Sequence, residues 1–261
     1  MQQINKDSTV PAFLWDYSIS FITDQSGLTD HYHHCYKVVI SLDKSFKFSI
    51  DGQTFSGIRG YITNQDVPHS YSAPNLNVLV SLIEVNSVWG VKLRTLLGNK
   101  SWVDINTILE PAQYNNVLPV NYKELSNAVL IPYVNNFLDS FFSMMPPAQT
   151  IHTDDRMQRV LQFIDKNLHN PLELEDLQPH INLSTERIRH LFVQQMHISF
   201  SQYVLWKRIR KTMQMAIAGE SKLTEACHRF GFSDQSHFNK AFKRIFGVTP
   251  FGIIRYSRVL L

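Results

Sequence analysis

The sequence predicts an α+β chain of two domains, a small barrel of short strands followed by an all-α part. Three observations predict it. Residues 1–86 are short β-branched or alternating runs broken by turn signals. Residues 152–261 repeat a helix-turn-helix pattern at an offset of 50. Between them, Met145-Pro146-Pro147-Ala148-Gln149-Thr150 sets two prolines among small and polar residues, as an interdomain linker does. The expected bounds are a first domain at 1–145, a linker at 146–155 and a second domain at 156–261.

Composition narrows the class. The 261 residues are 44% hydrophobic and 18% charged, ordinary for a soluble protein of one or two cores. Net charge is +3 but unevenly placed: residues 152–261 hold 16 Lys+Arg against 10 Asp+Glu, residues 1–151 hold 9 against 12. The basic C-terminal part suggests a polyanionic partner for that part alone. Cys35 and Cys227 fall one in each domain, which argues against a disulfide framework and fits a reducing compartment. The N-terminus lacks the apolar stretch of a signal peptide, and no apolar run approaches the ~18 residues a membrane span needs. The expectation is a cytoplasmic protein with no membrane partner.

In the first domain Tyr36–Leu42 is β-branched and apolar, and Phe46–Ile50 alternates with period 2 before Asp51-Gly52, a hairpin signal. Further strands are expected at Gln53–Ile58, Gly60–Thr63 and Asn77–Ile83, which together suggest a barrel or jelly roll. The pattern then turns helical. Val88–Leu97 places Val88, Val91 and Leu96 near helical spacing. Tyr122–Met144 repeats Leu125, Val129, Tyr133, Phe137 and Phe141, with a kink expected at Pro132. Such a stripe either covers its own domain or forms a dimer seam.

In the second domain, sliding the chain by 50 lays Ser184, Ile188, Leu191 and Phe192 on Asp234, Phe238, Ala241 and Phe242. Polar Glu186, Arg189 and His190 then fall on Ser236, Asn239 and Lys240, each triplet on one helical face. One unit is expected at about Leu174–Gln195 and the other at Leu223–Phe246, joined by a helix over Phe200–Ala218. In that helix Tyr203, Trp206, Ile209, Met213 and Ile217 face the units, while Lys207, Arg208, Arg210 and Lys211 point elsewhere. In the first unit Gln178 stands next to the turn, Pro179 shortens or bends the first helix, and Asn182 stands in the turn, where Asn tolerates positive φ. In the second, Ser221 is the expected N-cap of Leu223–Phe230, Gly231 stops that helix, Ser233 or Asp234 caps the next, and Gly247 ends it. Cys227 fits the small buried position.

The stretch Gly231-Phe232-Ser233-Asp234-Gln235-Ser236-His237-Phe238, with Ala241-Phe242-Lys243-Arg244, Phe246-Gly247-Val248-Thr249-Pro250 and Arg255, strongly resembles the C-terminal signature of AraC/XylS transcription regulators. More loosely, residues 25–90 resemble the cupin-like sensor domain of such regulators, which has histidines where His31-Tyr32-His33-His34 and His69 stand. The resemblance implies an N-terminal cupin-like β-barrel with flanking dimerisation helices and a C-terminal domain of two helix-turn-helix units on one long helix. It further implies a homodimer on promoter DNA, with RNA polymerase as a candidate partner.

Recognition helices read base edges in the major groove. Arg189 suits guanine, Asn239 or Gln235 adenine, and Glu186 the cytosine amino group. Lys240, Lys243, Arg244 and the connecting-helix cations suit phosphates. Arg187, His190, Ser236 and His237 complete the expected DNA-facing set. In the barrel, a pocket lined by His31, His33, Lys37, His69 and Tyr71 would favour an anionic or hydroxylated effector; the alternative is that these histidines are packing residues. Metal-binding cupins carry a glutamate four residues after the second histidine, where this chain has Lys37, and a glycine just ahead of the third, where it has Asp66-Val67-Pro68. No metal, cofactor or catalytic residue is therefore expected. The rival readings are a cupin metalloenzyme fused to a DNA-binding domain and a regulator that needs no effector.

Overall fold

The computed structural model describes residues 12–15, 18–23, 28–110, 113–114, 117–119, 121–147, 155–246, 250 and 259–260. The chain divides into two compact units, one of residues 1–148 with 245–261 and one of 149–244. Gly247, Val248, Thr249 and Arg255 of the signature, and linker residues 148–150, lie outside the described residues.

The first unit is built on two sheets. Its strands are β1 (Ala12–Trp15), β2 (Ser18–Thr23), β3 (Leu28–His31), β4 (Tyr36–Ser41), β5 (Phe46–Ile50), β6 (Gln53–Ile58), β7 (Gly60–Thr63), β8 (His69–Ser72), β9 (Val78–Ile83), β10 (Trp102–Asp104) and β11 (Val259–Leu260). One sheet runs β10-β7-β4-β9-β2-β1-β11, the other β3-β8-β5-β6, and among the described residues no pairing joins the two. All neighbours are antiparallel except β1 and β11.

Strand β4 lies between β7 and β9 and is buried along its whole length, which is why its sequence is nearly continuous in apolar residues rather than alternating. Strand β5 shows the expected alternation. Asp51 and Gly52 have φ of 51° and 73°, the positive pair a tight hairpin with native twist requires. Inside, Phe48 stacks on Tyr61 with centroids 3.8 Å apart. Strands β1, β2 and β10 carry no turn signal strong enough to be read from sequence, and β10 has only three residues.

Helix α1 (Val88–Leu97) has the expected bounds, set by Ser87, whose Oγ accepts from the Gly90 N–H at 2.9 Å. Of the expected face, Val91 is buried but Leu96 is half-buried and Val88 is 66% exposed, while Trp89, Leu93 and Leu97 go in. The larger aromatic decides the phase, since Trp89 stacks on Phe142 at 4.4 Å. The long helix expected over 122–144 is instead a 3₁₀ turn at Tyr122–Glu124 followed by α2 (Asn127–Ser143), with Pro132 inside it. Its buried stripe is Leu130, Val134, Phe137, Leu138, Phe141 and Phe142. Val129, 49% exposed, is off the stripe, and so is half-buried Tyr133.

The second unit is helical. It comprises α3 (Asp155–Asn167), a 3₁₀ turn at Leu174–Leu177 running into α4 (Gln178–Ile181), α5 (Thr185–Met196), α6 (Phe200–Ile217), α7 (Leu223–Arg229) and α8 (Gln235–Phe246), whose last two residues fall in the first unit. A capping box of Ser199 and Gln202 starts α6, and Ala218 caps it. Tyr203, Trp206, Ile209 and Met213 of α6 are buried, as their spacing requires, whereas Ile217 is half-buried. The first helix of this unit is short, as Pro179 suggested: a 3₁₀ turn runs into the four-residue α4, and Pro179 stands in its first turn, where its missing N–H is harmless. The N-cap of α7 is Lys222 rather than Ser221, and it makes no side-chain capping bond.

Candidate functional site

The first candidate is the outer face of two equivalent helices. Each unit is a short helix, a turn and a longer helix: α4 then α5, α7 then α8. The turns rest on Asn182 at φ 53° and Gly231 at φ 80°. Ser184 is the N-cap of α5, and Asp234 precedes α8, its Oδ1 accepting the His237 N–H at 2.7 Å. That bond from His237 is the first cause holding the Asp234 carboxyl below its usual range. The caps are 50 residues apart, but the positive-φ residues are 49 apart, so the second turn is one residue longer.

The inner faces are dry: Ile188 and Phe192, like Phe238 and Phe242, have no exposed surface. Outward, Glu186, Arg187, Arg189 and His190 are exposed on α5, and Ser236, His237, Lys240, Lys243 and Arg244 on α8. Gln235 and Asn239 are half-buried.

The first triplet is paired within itself. The Glu186 carboxylate accepts from Arg189 Nη1 and lies 3.0 Å from His190 Nε2. In the second, Gln235 Oε1 accepts from Thr224 Oγ1 at 3.1 Å. Asn239 Oδ1 is turned inward without a hydrogen-bond partner among the described residues, so pairing with adenine requires its amide to rotate outward. His237 Nδ1 sits 3.3 Å from Ser233 Oγ, committing the ring to the turn.

The connecting-helix cations correct the sequence expectation. Arg210 is 6% exposed. Lys207 Nζ pairs with Asp165 at 3.3 Å. Arg208 donates to the carbonyls of Leu168 at 3.1 Å and Asn170 at 2.6 Å. Only Lys211 of the four is exposed. For Lys207 and Arg208 the cause is the C-terminal end of α3, a helix whose existence and placement the repeat does not reveal. Three of the four cations therefore serve the domain's own packing.

The second candidate lies between the two sheets of the first unit. Lys37 on β4 reaches from the seven-stranded sheet toward His31 on β3 and His69 on β8 of the other, which pair directly. Its Nζ is 3.1 Å from Nε2 of each. His69 Nδ1 donates to the Val67 carbonyl at 2.8 Å, which fixes Nε2 as the acceptor. The His33 ring centroid is 4.7 Å from that of His31 and 5.4 Å from that of His69, and its Nε2 is buried without a hydrogen-bond partner among the described residues. Tyr71 offers its ring face 5.2 Å from the ammonium. All five expected pocket residues thus converge. His34, last of the run, pairs with Asp66 instead.

Sequence reading missed Tyr61 and Thr63. Thr63 is the cross-strand partner of Lys37. Both hydroxyls are buried without a hydrogen-bond partner among the described residues. Their signal was the two-residue spacing that puts them on one face of β7, but the register against β4 cannot be read from either strand alone.

Burial, first of all, pushes the Lys37 ammonium down to about 7. Burial and then the Lys37 charge push His69 down to about 2 and His33 well below its usual value. His33 and His69 are therefore neutral imidazoles beside the Lys37 amine. Cys35 and Cys227 are buried and free, and burial raises both thiols.

A metal does not fit this donor set as it stands. One ring nitrogen from each of His31, His33 and His69 lies within 4.8 Å of the others. Two of these lone pairs are taken by Lys37, and among the described residues no carboxylate joins them.

Comparison with known proteins adds similar chains and folds. A helix-turn-helix domain family matches residues 179–253. The chain is 25% identical over 239 residues to the probable transcriptional regulator LumQ of Photobacterium leiognathi, covering 85% of this chain and 90% of LumQ. It is 26% identical over 175 residues to the regulatory protein PocR of Salmonella typhimurium, covering 66% of this chain and 57% of PocR. The fold is similar to that of apo ToxT from Vibrio cholerae, with a TM-score of 0.59 at 14% identity over 92% of this chain and 98% of that one. It is also similar to ToxT bound to (E)-4-(8-methylnaphthalen-1-yl)but-3-enoic acid, with a TM-score of 0.51 at 16% identity over 92% and 99%. With the signature residues on the outer and inner faces of α8, the paired helix-turn-helix units and these relatives in place, the chain carries a helix-turn-helix domain at residues 179–253 and is a DNA-binding transcription regulator similar to those of the AraC/XylS family.

Proposed function

We propose that this regulator is controlled by a small anionic molecule held at Lys37. The supporting observation is the single buried amine at the centre of His31, His33, His69 and Tyr71. Among the described residues no carboxylate lies beside Lys37, and burial pushes its ammonium down to about 7. An anion would supply the missing counter-charge, gaining about 1.4 kcal/mol for each unit by which it raises the lysine's pKa. The histidines and the Tyr61 and Thr63 hydroxyls then offer directional hydrogen bonds around it. A solved ToxT structure holding a carboxylic acid agrees in ligand chemistry.

In this reading residues 1–145 form a cupin-like sensor domain that also dimerises the protein, 146–155 link, and 156–261 bind promoter DNA. Glu186, Arg187, Arg189, His190, Gln235, Ser236 and Asn239 face bases. Lys240, Lys243 and Arg244 face phosphates, and His237 shapes the second turn. Contact with RNA polymerase follows promoter binding, in the cytoplasm. No catalytic step is assigned. The experiment is a thermal-shift screen of the full chain at pH 7 with carboxylic acids and their matched amides. Acids should stabilise wild type and not Lys37→Met. Equal shifts in both proteins, or no response to any acid, would sink the proposal.

A further inference from the structure

We infer that the Lys37 side chain stands in the place of a metal ion, and that this tethered cation is what keeps the three-histidine cluster of the sensor unit from binding one. The inference does not depend on the effector reading.

The argument is geometric. Three imidazole nitrogens within 4.8 Å of one another, from His31, His33 and His69, need only small side-chain shifts to meet one ion at the ~2.0–2.1 Å of a zinc–imidazole bond. His69 is already oriented as a ligand. Its Nδ1–H is tied to the Val67 carbonyl, the outer contact that fixes the tautomer and turns Nε2 inward. His33 presents a buried Nε2 with no hydrogen-bond partner among the described residues, an atom that needs something to bind.

What occupies the centre is Lys37 Nζ, 3.1 Å from two of the three rings. The lone pair that accepts a lysine N–H is the lone pair a metal would take, so the two occupants exclude each other. An ammonium at that spot would also repel a divalent ion at short range through a medium with little screening. Lys37 reaches the cluster from the opposite sheet, and β4 is held on both sides by β7 and β9. The tether therefore cannot swing away without disturbing the centre of the larger sheet. The nearby Asp66 carboxylate is engaged with His34 and does not join the cluster.

Removing the amine while keeping the volume should uncover a three-imidazole site with one open position. The test uses the full-length protein, dialysed against Co²⁺ at pH 7.5 and then freed of excess metal. Elemental analysis and visible ligand-field absorption are the readouts. Wild type should retain no stoichiometric cobalt. Lys37→Met should retain about one ion per chain with bands of low-symmetry nitrogen coordination. The added change His69→Ala should abolish both. Circular dichroism and a cooperative melt show which variant is folded, and Lys37→Gln serves in place of Lys37→Met if that variant is not. Cobalt held at one equivalent by wild type and lost on His31→Ala would overturn the inference. So would a folded Lys37 variant that binds none.

Discussion

Replacing Arg208 with alanine should destabilise the helical unit while leaving the salt dependence of DNA binding unchanged. Arg208 is half-buried on α6, and its guanidinium donates to the carbonyls of Leu168 at 3.1 Å and Asn170 at 2.6 Å, just past the end of α3. It also lies under the second turn: a Cβ built on Gly231 would come within 3.0 Å of the guanidinium carbon. Hydrogen bonds from a charged donor contribute roughly 1.5–3 kcal/mol each, and partial exposure puts this pair at the low end. The expected loss is about 2–3 kcal/mol, which for a domain near 100 residues lowers the melting temperature by roughly 10–15 °C. A phosphate contact behaves in the opposite way. Its removal costs little stability but lowers the slope of log K against log salt by about 0.9. Urea unfolding and DNA titrations at several salt concentrations separate the two. Lys243→Ala and Arg244→Ala serve as the phosphate comparison. A stable Arg208→Ala protein with a reduced salt slope would refute the structural role.

Gly231→Ala should cost about 1–2 kcal/mol from its φ of 80°, and more as the Arg208 guanidinium is displaced, measured by urea unfolding. Stability should fall as pH drops below about 6.5. There the unfolded chain protonates His69 while the folded one, with this residue pushed down to about 2, does not. The slope is at most 1.36 kcal/mol per pH unit, about 2 kcal/mol by pH 5, and His69→Gln should remove that share. Lys37 acts in a different window: lowered to about 7, it makes stability rise with pH from 7 toward its ordinary value of 10.5, with no slope from it in acid. Glu186→Gln should free Arg189 from its ion pair, raising DNA affinity at low salt while weakening preference at one base pair, as read by titration against single-base operator variants.

What sequence conveys about this chain follows how local each signal is. The turns at Asn182, Gly231 and Asp51-Gly52 were legible because positive φ is a property of one or two residues. The outward triplets were legible, apart from half-buried Asn239, because a helix fixes its own faces, and the histidine cluster because His-x-His and its downstream partner form a recognisable spacing. The phase of α1 and α2 was not, because the stacking of Trp89 on Phe142 is a contact between elements. Arg208 looked like a free cation because nothing in α6 announces the end of α3. Thr63 and Tyr61 were missed because register between strands is tertiary information.

The central claim is that one chain carries two base-reading helices, α5 and α8, and the most direct measurement is base preference mapped along bound DNA. Wild type, Arg189→Ala and Gln235→Ala should be titrated against an operator in which every base pair is substituted in turn. The account predicts two clusters of preference about one helical turn, ~34 Å, apart, with Arg189→Ala relaxing one cluster by roughly 1–3 kcal/mol and Gln235→Ala relaxing only the other. Uniform loss of affinity in both variants, with preferences unchanged at every position, would contradict it.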